Sequence, residues 1–199
     1  MPRVTEEHRQ AMRERILSAT ARAFARFGLN GASMADIIAE SGLSAGAIYG
    51  YFKSKDELIA AFAEDVLTGR VSDVQSIARR DPVPEPADAV RMFVALLPQQ
   101  LIDDGLVVEL WAAAARNPHV GTYAKQSFHT LRQAFEHYLT RYAEKQGLDQ
   151  ESARRWADRA VPVFMSHCQG YLLTVSVLGR GPADEVLQGL NTVRFVPTA

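Results

Sequence analysis

The chain has 199 residues, 47% of them apolar and 23% charged, and a formal net charge of −1. That length suits one generous domain or a small domain joined to a larger one, and the apolar share excludes wholesale disorder and a collagen-like repeat. A single cysteine, Cys168, excludes an internal disulfide, and the N-terminal stretch MPRVTEEHRQAMRERILSAT lacks the apolar core of a secretion signal, so a cytoplasmic location is expected. Charge is unevenly spread. Residues 1–55 hold eight Lys/Arg against five acids, for a net of +3, while the remainder carries −4. A basic head on an acidic body places any bound polyanion on the head.

No segment shows the period-2 alternation of a half-buried strand, whereas helix signals recur, so the fold class is all-α. Thr5 with Glu6 and Glu7 resembles an N-cap followed by acids in the first turn, where they favour the macrodipole. Ile16, Leu17, Thr20, Phe24 and Phe27 keep one face apolar, and Gly28 offers a stop, which predicts a first helix from about Glu6 to Phe27. Ser33 caps a short helix with Met34, Ile37 and Ile38 inside, ending near Gly42. Ser44 caps another that carries Ile48 and Phe52. Ser54-Lys55-Asp56-Glu57 reads as a capping box in which Glu57 reaches the Ser54 amide, opening a long helix towards Arg80.

Asp81-Pro82-Val83-Pro84-Glu85-Pro86 is the clearest linker, because its prolines cannot continue a helix. Further helices are expected at 87–103, 106–117, 119–146, 150–179 and 182–191, about nine in all. Residues 160–179 contain no Asp, Glu, Lys or Arg, a length able to cross a bilayer on that count. Its polar residues Ser166, His167, Gln169, Thr174 and Ser176 favour instead a helix buried on most of its circumference, and no membrane partner is expected. Phe164, Cys168, Tyr171, Leu172 and Val175 would face its own core. Val163, His167, Gly170, Thr174 and Val177 need a cover, and a second copy of the chain is the simplest one.

The informative stretch is SMADIIAESGLSAGAIYGYFKSK, residues 33–55. Two short serine-capped helices are joined by a tight turn at Gly42-Leu43, and Ile37, Leu43, Ile48 and Phe52 are spaced to lock them at a steep angle. This is the layout of a helix-turn-helix, whose second helix enters a major groove. Its tip, Ser44-Ala45-Gly46-Ala47, is small, so free amides at the helix start can approach phosphates or base edges. Tyr49, Tyr51, Lys53 and Lys55 follow at positions suited to the sugar-phosphate backbone.

Residues from about 9 to 62 resemble the DNA-binding domain of the TetR family of transcriptional regulators. The resemblance lies in ILSATARAFARFG, Ser33…Asp36-Ile37, Gly42-Leu43-Ser44, Gly46-Ala47-Ile48-Tyr49 and Tyr51-Phe52-Lys53-Ser54-Lys55-Asp56-Glu57-Leu58. The rest is similar to the family in length and helicity, together with the run from Leu110-Trp111-Ala112 to Arg116-Asn117-Pro118. The resemblance implies a DNA-binding domain over 1–54 and a ligand-binding and dimerisation domain over 55–199. It implies that Ser33 bonds a phosphate from its cap and that Ser44, Ala45, Gly46 and Ala47 form the recognition tip. Tyr49 and Tyr51 would meet phosphates or base methyls, and Lys55 would hold a phosphate. The chain departs from the family in Ala35, where a polar or basic residue is common, in Ile38 for alanine, and in Tyr51 where histidine is frequent.

The small tip residues cannot make the bidentate bonds by which Arg reads guanine or Asn reads adenine, so reading is expected through thymine methyls, Tyr51 and DNA shape. Arg3 and Arg9 would add a minor-groove arm. The partners expected are double-stranded DNA with a near-palindromic operator, a second copy of the chain, and a small, mostly apolar effector. Met92, Phe93, Leu96, Trp111, Tyr123, Phe128, Phe164, Cys168 and Tyr171 are the candidates to line the effector's pocket, because the resemblance implies one and such pockets are mostly hydrophobic. The alternative is a regulator of this type that binds DNA or a protein without a small ligand. No metal site or cofactor is expected. His129 and His137 stand eight residues apart, about 12 Å along a helix, and His167 and Cys168 diverge by about 100°. With no Walker loop, strand-bound GxGxxG or paired carboxylates, no enzymatic activity is expected.

Overall fold

The computed structural model describes residues 5–103 and 105–198, residues 99 and 100 by backbone alone. Every regular element among them is helical: α1 (Glu6–Gly31), α2 (Met34–Ser41), α3 (Ala45–Tyr51), α4 (Lys55–Ala78), α5 (Pro86–Ala95), α6 (Gln99–Asp103), α7 (Leu106–Arg116), α8 (Pro118–Lys145), α9 (Gln150–Leu178), α10 (Arg180–Gly189) and a 3₁₀ turn, Leu190–Thr192. They form two compact units, one built from residues up to 65 with 108–124, the other from 66–107 with 125–199. The first unit thus reaches beyond residue 54 to take in the start of α4 and the α7–α8 corner.

In the first unit, Thr5 caps α1 by accepting the His8 N–H at 3.3 Å. Ile16, Leu17, Thr20 and Phe24 are buried, and Phe24 meets the Phe62 ring of α4 edge-on at 5.5 Å. Phe27, expected inside, is 43% exposed beneath the Arg26 guanidinium, 5.0 Å from its ring centre. The regular helix stops at the next residue. Gly28 takes φ 72° and ψ 165°, a conformation open to glycine alone, and the chain resumes one further turn. The Glu109 carboxylate on α7 seals this break, accepting the Leu29 N–H at 2.5 Å. At the α7–α8 corner Asn117 accepts the His119 N–H at 2.9 Å, capping α8. Its amide also donates to Asp56 at 2.7 Å in the first turn of α4.

The second unit is built around α8 and α9, with α5, α6 and α10 packed on α9. Phe93, Phe135, Tyr138 and Phe164 form its aromatic centre, with ring centres 5.0–5.8 Å apart in successive pairs. The proline-rich segment 81–85 lies inside this unit rather than between units, because α8 pins it. Tyr138 donates to the Pro84 carbonyl at 2.8 Å, and Tyr142 to the Glu85 carboxylate at 2.7 Å. Burial pushes both phenols above their ordinary range. The helix expected over 87–103 is two helices, since Pro98 has no N–H for the ladder and bars the helical conformation at Leu97. α9 is long and apolar enough to cross a membrane by length and composition, and a third of that window is buried in this unit.

Candidate nucleic-acid interface

Ser33 opens the interface as the cap of α2. Its Oγ accepts the Asp36 N–H at 3.2 Å and donates to the Asp36 carboxylate at 2.5 Å, which also takes the Ser33 N–H at 2.8 Å. These bonds, the hydroxyl's first and the amide's second, hold Asp36 below the usual carboxylate range. The hydroxyl expected to reach a phosphate is therefore engaged within the capping box. At the other end of α2, Gly42 adopts φ 62° and ψ 22°, the left-handed conformation that lets the chain reverse. Ser41 accepts the Leu43 N–H at 3.1 Å, and Arg15 of α1 donates to the Ser41 carbonyl at 3.0 Å, so the turn is tied to the first helix.

Ser44 then caps α3, accepting the Ala47 N–H at 3.2 Å. Ile48 is fully buried with Ile37, Phe52 closes the contact, and Leu43 is half-buried. With Ile48 as its inward anchor, α3 leaves Ser44, Ala45, Gly46, Tyr49 and Gly50 exposed, and Ala47 and Tyr51 half-buried. A methyl group added at Gly46 or Gly50 would meet no atom within 4 Å. Each glycine inside a helix costs about 0.5–1 kcal/mol relative to alanine, and neither is needed for packing here. Their bareness leaves the backbone of this face open to close approach. Gly50 escapes the sequence reading, although its place one turn after Gly46 could have flagged it.

The basic groups around this face have partners in the chain. Lys53 Nζ donates to the Tyr49 carbonyl at 2.7 Å and Lys55 Nζ to the Asn30 carbonyl at 2.9 Å. On α1, Arg22 pairs with Glu40 at 2.6 Å and Arg13 with Glu64 at 3.4 Å. Arg9 is exposed near the helix start, and Arg3 lies outside the described residues. At the start of α4, Ser54 accepts the Glu57 N–H at 3.2 Å as expected, but Glu57 takes the Lys53 N–H at 2.6 Å rather than that of Ser54. The carboxylate reaches one residue further back, and so fixes the loop that carries Lys53 just ahead of Lys55 at the start of α4.

The family profile described as "Bacterial regulatory proteins, tetR family" matches residues 16–62, the span holding these helices. Residues 16–62 belong to the TetR family. Relatives of the chain agree. It is 51% identical over 55 residues to an uncharacterized HTH-type transcriptional regulator of Haemophilus influenzae, a match covering 28% of this chain and 29% of that one. It is 27% identical over 160 residues to the HTH-type nicotine-responsive transcriptional repressor HdnoR of Paenarthrobacter nicotinovorans, covering 78% and 80%. A TetR transcription regulator structure from Haloarcula marismortui superposes with a TM-score of 0.72 at 17% identity, over 92% of this chain and 96% of that one, which shows a shared fold.

The second unit contains a cleft of about 270 Å³ between α5, α6, α9 and α10. Of the nine residues expected to line a pocket, it is lined by Tyr171. Phe93, Phe164 and Cys168 are sealed in the core, with Met92 and Phe128 packed half-buried against it. Leu96 is exposed at the end of α5. Trp111 and Tyr123 belong to the first unit and are 51% and 39% exposed. The cleft owes its cations to Arg91 and Arg180, which a search for apolar linings overlooks.

On α9 the outward stripe is turned from the expected one. Val163, Gly170 and Val177 are exposed, together with Ser166 and Leu173, whereas Thr174 and His167 are half-buried. That is a rotation of about 40° at 100° per residue. Its cause is the C-terminal segment. Phe195 packs on Phe164 and His167 at 5.8 and 5.9 Å, and the Val196 carbonyl accepts the Trp156 Nε1–H at 3.0 Å.

Proposed function

We propose that this chain is a homodimeric transcriptional repressor that places α3 of each subunit in the major groove of a near-palindromic operator and leaves the DNA when a small molecule binds its second unit. Residues 1–54 act as the DNA-binding head and 55–199 as the effector and dimerisation domain, in the cytoplasm, where bacterial DNA is reached. The observation that carries this reading is the outer face of α3, where Ala45, Gly46 and Gly50 keep the backbone accessible around Tyr49. Ser44 and Ala47 complete the tip, Tyr51 lies beside it, and Ser33 holds α2 at the angle the tip needs. Lys55 exchanges the Asn30 carbonyl for a phosphate when the duplex arrives. The exposed stripe of α9, with Leu173 56% and Val177 61% accessible, supports burial against a second copy.

HdnoR, by its name a nicotine-responsive repressor, aligns over 80% of its length, which supports repression relieved by a small molecule. Such relief requires the effector to prefer one of two arrangements of the dimer, by about 1–3 kcal/mol for coupled sites. The test is to select bound fragments from genomic DNA and titrate them against salt by fluorescence anisotropy. The expected result is a dimer in sedimentation and two half-sites spaced by a helical turn or a multiple of it. The logarithm of affinity should fall linearly with the logarithm of salt, by about 0.9 per phosphate contact, and Lys55→Ala should remove about one contact. A flat salt response, or a monomer bound to a single half-site, overturns the reading.

A further inference from the structure

Besides Arg91 and Arg180, the cleft of the second unit is walled by Val94, Leu97, Ile102 and Val175, and among the described residues no carboxylate lines it. The two cations are not equivalent. Arg91 is committed, bonding Asp88 at 2.9 Å, the Leu187 carbonyl at 3.0 Å and Asn191 at 2.6 Å, so it ties α5 to the end of α10. Arg180 opens α10, whose N-terminus has no side-chain cap, and among the described residues it has no hydrogen-bond or ion-pair partner. A second polar group stands idle on the same cleft. Tyr171 lines the cleft with its ring largely buried, and its hydroxyl, which is not among the polar atoms sealed from solvent, has no protein partner among the described residues.

We propose that this cleft binds a small organic carboxylate, its charge taken by Arg180 and the Tyr171 hydroxyl and its short apolar chain laid on Val94, Leu97, Ile102 and Val175. The class follows from the chemistry of the walls. A guanidinium matches a carboxylate in two parallel bonds, and the tyrosine O–H can donate a further one. A primary ammonium would find two cations and, among the described residues, no acid. A neutral alcohol would leave Arg180 without its counter-charge. The volume of about 270 Å³ is near the lower bound of ligand pockets and corresponds to roughly nine waters of liquid, so the chain is short rather than long. This assignment rests on the reading that the second unit holds the effector, but binding and release of DNA are separable.

Calorimetric titration of the full chain with octanoate, octan-1-ol and octylamine tests the proposal. Octanoate should bind at least tenfold more tightly than either neutral or cationic counterpart, and hexanoate should bind about sixteenfold more weakly than octanoate, from about fourfold per buried methylene. Arg180→Gln, at an exposed position, should bring octanoate down to the affinity of octan-1-ol. Tyr171→Phe, which keeps the ring, should weaken octanoate about tenfold. Equal binding of acid and alcohol, no binding of octanoate, or an acid preference that survives Arg180→Gln overturns the proposal. Anisotropy with the selected DNA then separates the two readings. Octanoate bound with the expected preference but without release of DNA upholds the carboxylate site and overturns its role as the effector site. Release by octan-1-ol at equal concentration overturns the carboxylate class alone.

Discussion

Gly28→Ala should destabilise the chain far more than the loss of any other solvent-near glycine, for two reasons that the structure separates. At φ 72° and ψ 165° a side-chain-bearing residue is strained by about 1–3 kcal/mol. An added Cβ would also stand 2.9 Å from Glu109 Oε1 and 3.2 Å from Oε2, so the carboxylate must withdraw. Withdrawal breaks its bond to the Leu29 N–H, a charge-assisted hydrogen bond of the kind that contributes about 1.5–3 kcal/mol. Together these amount to about 2.5–6 kcal/mol. With a urea m-value of about 2 kcal/mol/M, the midpoint followed by circular dichroism should fall by about 1.2–3 M with an unchanged slope. Glu109→Ala alone should lose the second contribution, and the double variant should cost clearly less than the sum, because Gly28→Ala has already displaced the carboxylate. A midpoint shift under about 0.3 M, or strict additivity, would refute the reasoning.

Gly46→Ala should act in the opposite sense on stability, adding about 0.5–1 kcal/mol because its Cβ meets open space, while anisotropy shows DNA affinity falling at least tenfold; unchanged affinity argues against the bare backbone as the interface. Asp36 is held below the usual carboxylate range by the Ser33 hydroxyl and amide, so its contribution is full above the unfolded pKa of about 4 and lost as pH falls through the lower folded value. The stability gap between the native chain and Asp36→Ala should therefore close in acid, and a gap constant down to pH 2 would contradict the capping box. Burial pushes the Cys168 thiol up to about 12, so iodoacetamide at pH 8 should label the native chain at least a hundredfold more slowly than the urea-unfolded one; comparable rates would mean that the α9 core opens readily.

Local chemistry was legible in the sequence wherever one residue decides a helix end. Thr5, Ser33 and Ser44 cap the helices they were expected to cap, and Gly28 and Gly42 take the positive φ that their stopping roles require. Pro98 was equally readable and was passed over, which is why α5 and α6 were expected as one helix. What depends on a partner element was not legible. Nothing near Gly28 in the chain announces Glu109, eighty residues away, and the 40° turn of the α9 stripe follows from Phe195 folding back. Aromatic residues could be named but not located. Trp111 and Tyr123 fall in the first unit because α7 and α8 cross from one unit to the other, and helical periodicity carries no record of that crossing.

Asn117 serves two helices with one short side chain, its carbonyl oxygen on the start of α8 and its amide on Asp56 at the start of α4. Neither end can fray without slackening the other, so the two starts should open in hydrogen exchange as a single event with one protection factor. The corner behaves as a rivet: thermal noise arriving along either rod is shared with its neighbour before it reaches Lys53 and Lys55.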